Sequence, residues 1–174
     1  MNIGKTGKCL FFILSFLAAI QGCGYHLVGH DSNLPPDVRS IAIPTFVNSS
    51  SEPGIETTFT QLVRDEFIRD GRLKVASAKR ADWLLNGRIQ EYSLKPVSFD
   101  SSDNVTAYWI EMTLVVELLD NRNQKKIFER TFHPHWDYQV TSGVTLSNIR
   151  RVEGINNAAM DFGRTLISLI IEGF

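Results

Sequence analysis

Cysteine is scarce in this chain of 174 residues, where Cys9 and Cys23 are the only two. Neither a disulfide scaffold nor a multi-cysteine zinc module can be built from them, so the fold must rest on its hydrophobic core. An excess of charge of one sign is missing as well. Lys plus Arg number 18 against 19 Asp plus Glu, which excludes the basic footprint of a nucleic-acid binder. With 43% hydrophobic and 10% aromatic residues the chain is too apolar for a disordered one, and one domain is the default. Catalytic signatures are also absent: GxSxG, a P-loop, HExxH, a dinucleotide fingerprint and a Cys-His arrangement do not occur. The expectation is a protein that is not an enzyme and carries no cofactor.

What is present begins with an export signal. Lys5 and Lys8 precede the apolar run Cys9 to Ile20 (CLFFILSFLAAI), which has the length of a signal-peptide core and falls short of the roughly 20 residues of a spanning helix. The run ends in Ile20, Gln21, Gly22 and Cys23, which resembles a bacterial lipobox, although Gln21 replaces the usual small or aliphatic residue. A peptidase needs a narrow residue before the cut, and a thiol is nucleophilic enough to accept a diacylglyceryl group. Residues 1–22 are therefore expected to be a cleaved lipoprotein signal and Cys23 the lipidation site; an ordinary signal that leaves Cys23 buried is the plainer alternative. Gly24 stands where some bacteria read an aspartate as an inner-membrane retention signal, which favours the outer membrane. The acyl chains would anchor a single domain, 23–174, facing the periplasm or a partner there.

Hydrophobic periodicity outlines that domain. Val38 to Val47 reads as a strand, with Ile41 and Ile43 alternating and Pro44 pushing its end toward an edge. The linker NSSSEPG (Asn48 to Gly54) offers Ser51 as a helix cap and Pro53 near the first turn. Ile55, Phe59, Leu62, Val63 and Phe67 then fall at helical spacing up to Gly71, and the acidic pair Asp65 and Glu66 is read onto a solvated face. Lys74 to Ser77 can pair as a short strand. Trp83 to Leu94 carries Trp83, Leu85 and Ile89 on one face, and its phase slips near Tyr92 and Leu94, as a bulge would cause. A polar tip between Pro96 and Asn104 joins it to Val105 to Leu119, the clearest strand, with Tyr108, Ile110, Met112, Leu114, Val116 and Leu118 on one face. After the turn Asp120 to Gln124, even positions from Phe128 through Phe132, Trp136 and Tyr138 to Val140 mark a fourth long strand. A second amphipathic helix, Ser147 to Ile171, carries the stripe Ile149, Val152, Ile155, Ala159, Phe162, Leu166 and Leu169 or Ile170, with Gly154 and Gly163 weakening it locally. The order predicts an α+β fold: a two-layer sandwich with two helices packed on one face of a four-stranded, mixed, mostly antiparallel sheet and a right-handed crossover at the first helix.

The uncovered sheet face must meet water or a partner, and Trp109, Val115, His133 and His135 are the candidate contacts. His133-Pro134-His135 places two imidazoles on one strand face. A metal site would need a third ligand, Asp137 or the distant His26, so the solvated or partner-contacting reading is preferred and no metal is expected. Lys125, Lys126, Arg88, Lys95 and Arg130 can offer cations to an anionic ligand. Because Glu91, Asp120 and Glu129 are interleaved with them, the blander reading is a solvated face.

The segments CGYHLVG (Cys23 to Gly29) and LPPDVRSIAIPTFVN (Leu34 to Asn48) resemble the start of the lipopolysaccharide-assembly lipoprotein family. The likeness extends through PGIETTFTQLVRDEF, ADWLLNGRIQEY, TAYWIEMTLVVELLD and the closing helix. The resemblance implies a helix-on-sheet lipoprotein that sits in the lumen of a large outer-membrane β-barrel, helps that barrel assemble, and binds lipopolysaccharide on its way to the outer leaflet. Basic residues near the hairpin tip and the start of the last helix are what the family is credited with as glycolipid contacts. Here the tip is Asp100, Ser101, Ser102 and Asp103, which is acidic, and Arg150 and Arg151 match the second place loosely. A rival resemblance, carried by IAIPTFVN, a helix, a short strand and ADWLLNGRI, is to the periplasmic domain of outer-membrane lipoproteins that activate peptidoglycan synthases or build secretion channels. The Cys-Gly-Tyr-His-Leu start and the long Tyr108 to Leu119 strand favour the first.

Overall fold

Proline decides how the strands are divided. In the computed structural model, which describes residues 34–140 and 144–173, the elements are β1 (Ser40–Ala42), β2 (Val47–Asn48), α1 (Ile55–Asp70), β3 (Lys74–Val75), β4 (Trp83–Phe99), β5 (Val105–Asp120), β6 (Lys125–Phe132), β7 (His135–Gln139) and α2 (Val144–Ile167). A single π-helical turn, Ser168–Glu172, extends α2. The expected signal segment, Cys23 and His26 lie outside the described residues. The fold is α+β, with two helices and one mixed sheet, but the sheet has seven strands where four were expected. Pro44 and Pro134 each lack the N–H a ladder needs and split one expected strand in two, and the short β3 adds the last. The split at Pro134 leaves the pairing intact: Leu114 faces Phe132, Ile110 faces Trp136, and between them the Met112 amide donates to the Pro134 carbonyl at 3.1 Å.

The strand order is β3-β1-β4-β5-β6, with β2 also on β4 and β7 also on β5. β1 runs parallel to β3 and β4, whereas β4, β5 and the β6–β7 line form an antiparallel meander. β4 continues through Phe99, so the hairpin tip is only Asp100 to Asn104, shorter than expected. There the Asp100 carboxylate accepts from the Ser102 and Asn104 amides at 2.8 and 3.0 Å, and these bonds with the Asn104 side chain hold its carboxyl below the usual range. The expected phase slip in β4 is a bulge between Ile89 and Glu91. It carries the core-facing set from Trp83, Leu85 and Ile89 to Tyr92 and Leu94, opposite Met112 and Ile110.

On β5 the alternation is clean: Ile110, Met112, Leu114, Val116 and Leu118 are buried, in one cluster with Phe59, Val63 and Phe67 of α1 and Ile155, Phe162 and Leu166 of α2. α1 starts later than Ser51 suggested. Gly54, at φ 79°, precedes it with no side-chain cap, and the Ser51 hydroxyl donates instead to the Tyr92 carbonyl at 3.4 Å. Gly71, at φ 75°, closes it by donating its N–H to the Phe67 carbonyl.

Two other expectations about the helices are corrected. Glu66 is not on a solvated face: it is 4% exposed, 2.5 Å from Arg69 and 3.5 Å from Arg164. The glycines in α2 are also close-approach positions. A Cβ on Gly163 would lie 3.0 Å from Glu66 Cβ and Cγ, and one on Gly154 would lie 3.1 Å from Ile110 Cδ1. The absence of side chains there lets α2 approach α1 and the sheet. Finally, Ile149 and Val152 continue the apolar stripe of α2 but are 49% and 48% exposed. No helix among the described residues is long and apolar enough to cross a membrane.

Candidate functional site

The second face of the meander carries the chemistry. Along β5 it presents Trp109, Glu111, Thr113, Val115 and Glu117, the odd positions whose even neighbours are buried. The β4 bulge determines which of its residues join them. Before it Asn86 and Arg88 pair with Glu117 and Val115, and after it Glu91, Ser93 and Lys95 pair with Thr113, Glu111 and Trp109. Arg88 and Lys95, of opposite parity in the sequence, therefore share a face. From the other side β6 and β7 bring Glu129 and Thr131 opposite Glu117 and Val115, and His135 and Asp137 opposite Glu111 and Trp109.

Two of the cations on this face are held by carboxylates. Lys95 Nζ lies 2.5 Å from Glu111, and Lys126 Nζ lies 3.1 Å from Glu117 and 2.5 Å from Glu129. Hydrogen bonds to those two carboxylates hold the Lys126 ammonium above its ordinary range. These pairs are exposed and individually weak, and over the whole face five carboxylates (Glu91, Glu111, Glu117, Glu129 and Asp137) stand against three cations (Arg88, Lys95 and Lys126). Trp109, 38% exposed, lies on the same face with its ring centroid 4.9 Å from that of His135.

Two depressions interrupt the face. One, of about 250 Å³, lies at the Pro134 break between Glu91, Glu111, His133 and His135. On its wall the Thr113 hydroxyl donates to Glu91 at 3.1 Å and lies 3.4 Å from His133 Nδ1. Among the described residues no three His, Cys, Asp or Glu side chains converge to hold a metal ion. The other, of about 420 Å³, runs between Val47, Arg88, Val115 and Lys126.

Of the candidate residues, the structure brings Trp109, His133 and His135 together at one end of this face and Arg88, Val115 and Lys126 at the other, with Lys95 beside Trp109. Lys125 sits exposed where β6 leaves its turn. Arg150 is exposed on α2 and belongs to neither group. Arg151 is also on α2, part-buried, 2.6 Å from Glu52 and 3.5 Å from the Tyr92 hydroxyl. Sequence reasoning missed the carboxylates that occupy these cations, Glu111, Glu117 and Glu52, because a cross-strand or cross-element partner leaves no local signal. The alternation of β5 identified Glu111 and Glu117 as facing out, but not whom they face.

No curated protein sequence matches the chain. Among solved structures it resembles a minor lipoprotein from Acinetobacter baumannii, at 15% identity and a TM-score of 0.52 over 78% of this chain and 92% of that one. It also resembles a protein from Xanthomonas campestris, at 13% identity and a TM-score of 0.51 over 77% and 87%. A rare lipoprotein B from Shewanella oneidensis matches at 17% identity and a TM-score of 0.46 over 71% and 90%. At these identities the first two establish a shared fold and nothing about activity. The family model described as LptE, lipopolysaccharide-assembly, matches residues 38–167, from the turn before β1 to the last residue of α2. That span holds every strand and both helices described above, and the chain belongs to the LptE lipopolysaccharide-assembly family.

Proposed function

We propose that this protein is an outer-membrane lipoprotein that plugs and helps assemble a β-barrel translocon delivering lipopolysaccharide to the outer leaflet, and that it acts without turnover. The observation that carries the reading is the family match across nearly the whole of the folded region. Physical support comes from the sheet. We infer a two-layer arrangement with both helices on the buried side, which leaves the outer face to a partner. A face of charged side chains suits neither bilayer hydrocarbon nor acyl chains, whereas the interior wall of a large outer-membrane barrel is polar. Trp109, Val115, His133 and His135 are the contacts assigned to that wall, with Trp109 as the aromatic anchor.

Glycolipid phosphates are assigned first to Arg88, Lys125 and Arg150. Lys95, Lys126 and Arg151 would each have to leave a carboxylate before binding one. The acyl anchor is assigned to Cys23. Affinity purification of the tagged protein from outer membranes tests the role: a large barrel protein should be recovered, and recovery of a peptidoglycan synthase alone would replace this reading with the rival one. Cys23→Ala should remove the acyl mass and release the protein from the membrane; unchanged mass and retention would refute the anchor.

A further inference from the structure

α2 is attached in two different ways along its length. From Gly154 onward it is part of the core, with Ile155, Ala158, Ala159, Phe162 and Leu166 buried and Gly154 bringing the helix against Ile110 and Tyr138. Over residues 148–153 that attachment stops. Within this stretch only Arg151 is not exposed, and the two apolar residues, Ile149 and Val152, stand about half in solvent. A helical stretch that buries no apolar side chain has little to hold it in place, since an isolated short helix is not stable in water.

Arg151 supplies the missing attachment. Its guanidinium reaches Glu52 at 2.6 Å and the Tyr92 hydroxyl at 3.5 Å, groups 99 and 59 residues away in sequence, on the linker before α1 and on β4. Both ends of the contact are themselves held. The Glu52 carbonyl accepts from Asn48 Nδ2 at 2.7 Å, and Tyr92 follows the β4 bulge opposite Met112. Tyr92 lies at the rim of the core, where burial pushes its hydroxyl above the ordinary value while Arg151 acts in the other direction. Burial likewise pushes the Tyr138 hydroxyl up, and this ring stacks on Tyr108 with centroids 5.5 Å apart.

We propose that residues 148–153 form a flap at the tyrosine-lined rim of the core and that Arg151, closing on Glu52 and Tyr92, is its latch. Arg151 is then a positioning residue: it keeps residues 148–153 docked, and losing it uncovers Tyr92 without unfolding the helix beyond Gly154.

The test is hydrogen–deuterium exchange on the full, detergent-solubilised lipoprotein, comparing wild type with Arg151→Met and Glu52→Gln, which break the same pair from opposite sides. In both variants amides 148–153 should exchange about tenfold faster, and amides 155–171 should stay within about twofold of wild type. Arg151→Lys, which keeps the charge, should fall between. Nitration of Tyr92 by tetranitromethane should rise in parallel. Unchanged exchange at 148–153 in either variant overturns the latch, and an unchanged Tyr92 reactivity overturns the flap. Acceleration spread evenly through residue 171 with a lowered melting temperature would make Arg151 a core element and overturn both.

Discussion

Gly87 is the position where a single added methyl group tests the packing most directly. It lies in β4 with the Phe46 ring laid across it, so that a Cβ would come within 2.5 Å of three ring carbons. Phe46 cannot simply step aside. It is 2% exposed and packs on Phe59 with ring centroids 6.2 Å apart, while Phe59 packs on Phe162 of α2 at 5.8 Å. Two effects of opposite sign compete in Gly87→Ala. Removing the flexibility of glycine from a strand stabilises by about 0.5–1 kcal/mol, and forcing a methyl into a filled core costs about 1–3 kcal/mol. At 2.5 Å the steric effect should win, with a net loss of about 1–2 kcal/mol. For a domain of this size that lowers the melting temperature by roughly 3–8 °C. Thermal unfolding followed by circular dichroism measures it. The decisive arm is a double-mutant cycle: Phe46→Ala alone should cost about 3–5 kcal/mol, and in that background Gly87→Ala should become neutral or stabilising by up to about 1 kcal/mol. If Gly87→Ala is as stable as wild type, or its cost persists once Phe46 is gone, the contact does not exist as described.

Other expected outcomes concern the core, the outer face and pH. Met112, 2% exposed on the buried row of β5, should not tolerate a carboxylate: Met112→Asp is expected to destabilise by about 2–5 kcal/mol in chemical denaturation, and an unmoved midpoint would mean the faces of β5 are assigned the wrong way round. Trp109→Ala should stay within about 1 kcal/mol of wild type in stability while clearly lowering co-purification of the barrel; normal recovery would remove Trp109 from the proposed interface. Asp82 accepts from the Ser40 hydroxyl at 2.6 Å and from the Arg39 and Ser40 amides at 3.1 and 3.0 Å, and these bonds hold its carboxyl below the ordinary value of 3.8. A depressed folded value stabilises above the unfolded one and loses that contribution as pH falls through the folded value. The melting-temperature deficit of Asp82→Asn should therefore be largest at neutral pH and shrink on acidification below about 3.8; a pH-independent deficit would refute the link.

Much of the architecture was legible because it is local. The alternation from Tyr108 to Leu118, the stripe from Ile55 to Phe67, and the slip near Tyr92 each have a period or a break that the chain carries in itself, and each corresponds to a buried row, a helix face or a bulge. What was misread depended on distant neighbours. Glu66 reads as a solvated carboxylate until Arg164 and Gly163 of α2 are placed beside it. Ile149 and Val152 read as core because the stripe passes through them, but they stand about half in solvent. Of the candidate cations, Lys95, Lys126 and Arg151 hold carboxylates supplied by other elements.

By itself, then, the amino-acid order determined the helices, the faces of the long hairpin and the family, since side-chain direction follows from a residue's own position in a helix or strand. The tertiary structure alone decided which cations are already occupied, which glycines are points of close approach, and that Arg151 of α2 reaches Glu52 and Tyr92. Those outcomes depend on register and on the crossing of elements far apart in the chain, and neither leaves a periodic trace in the elements that meet.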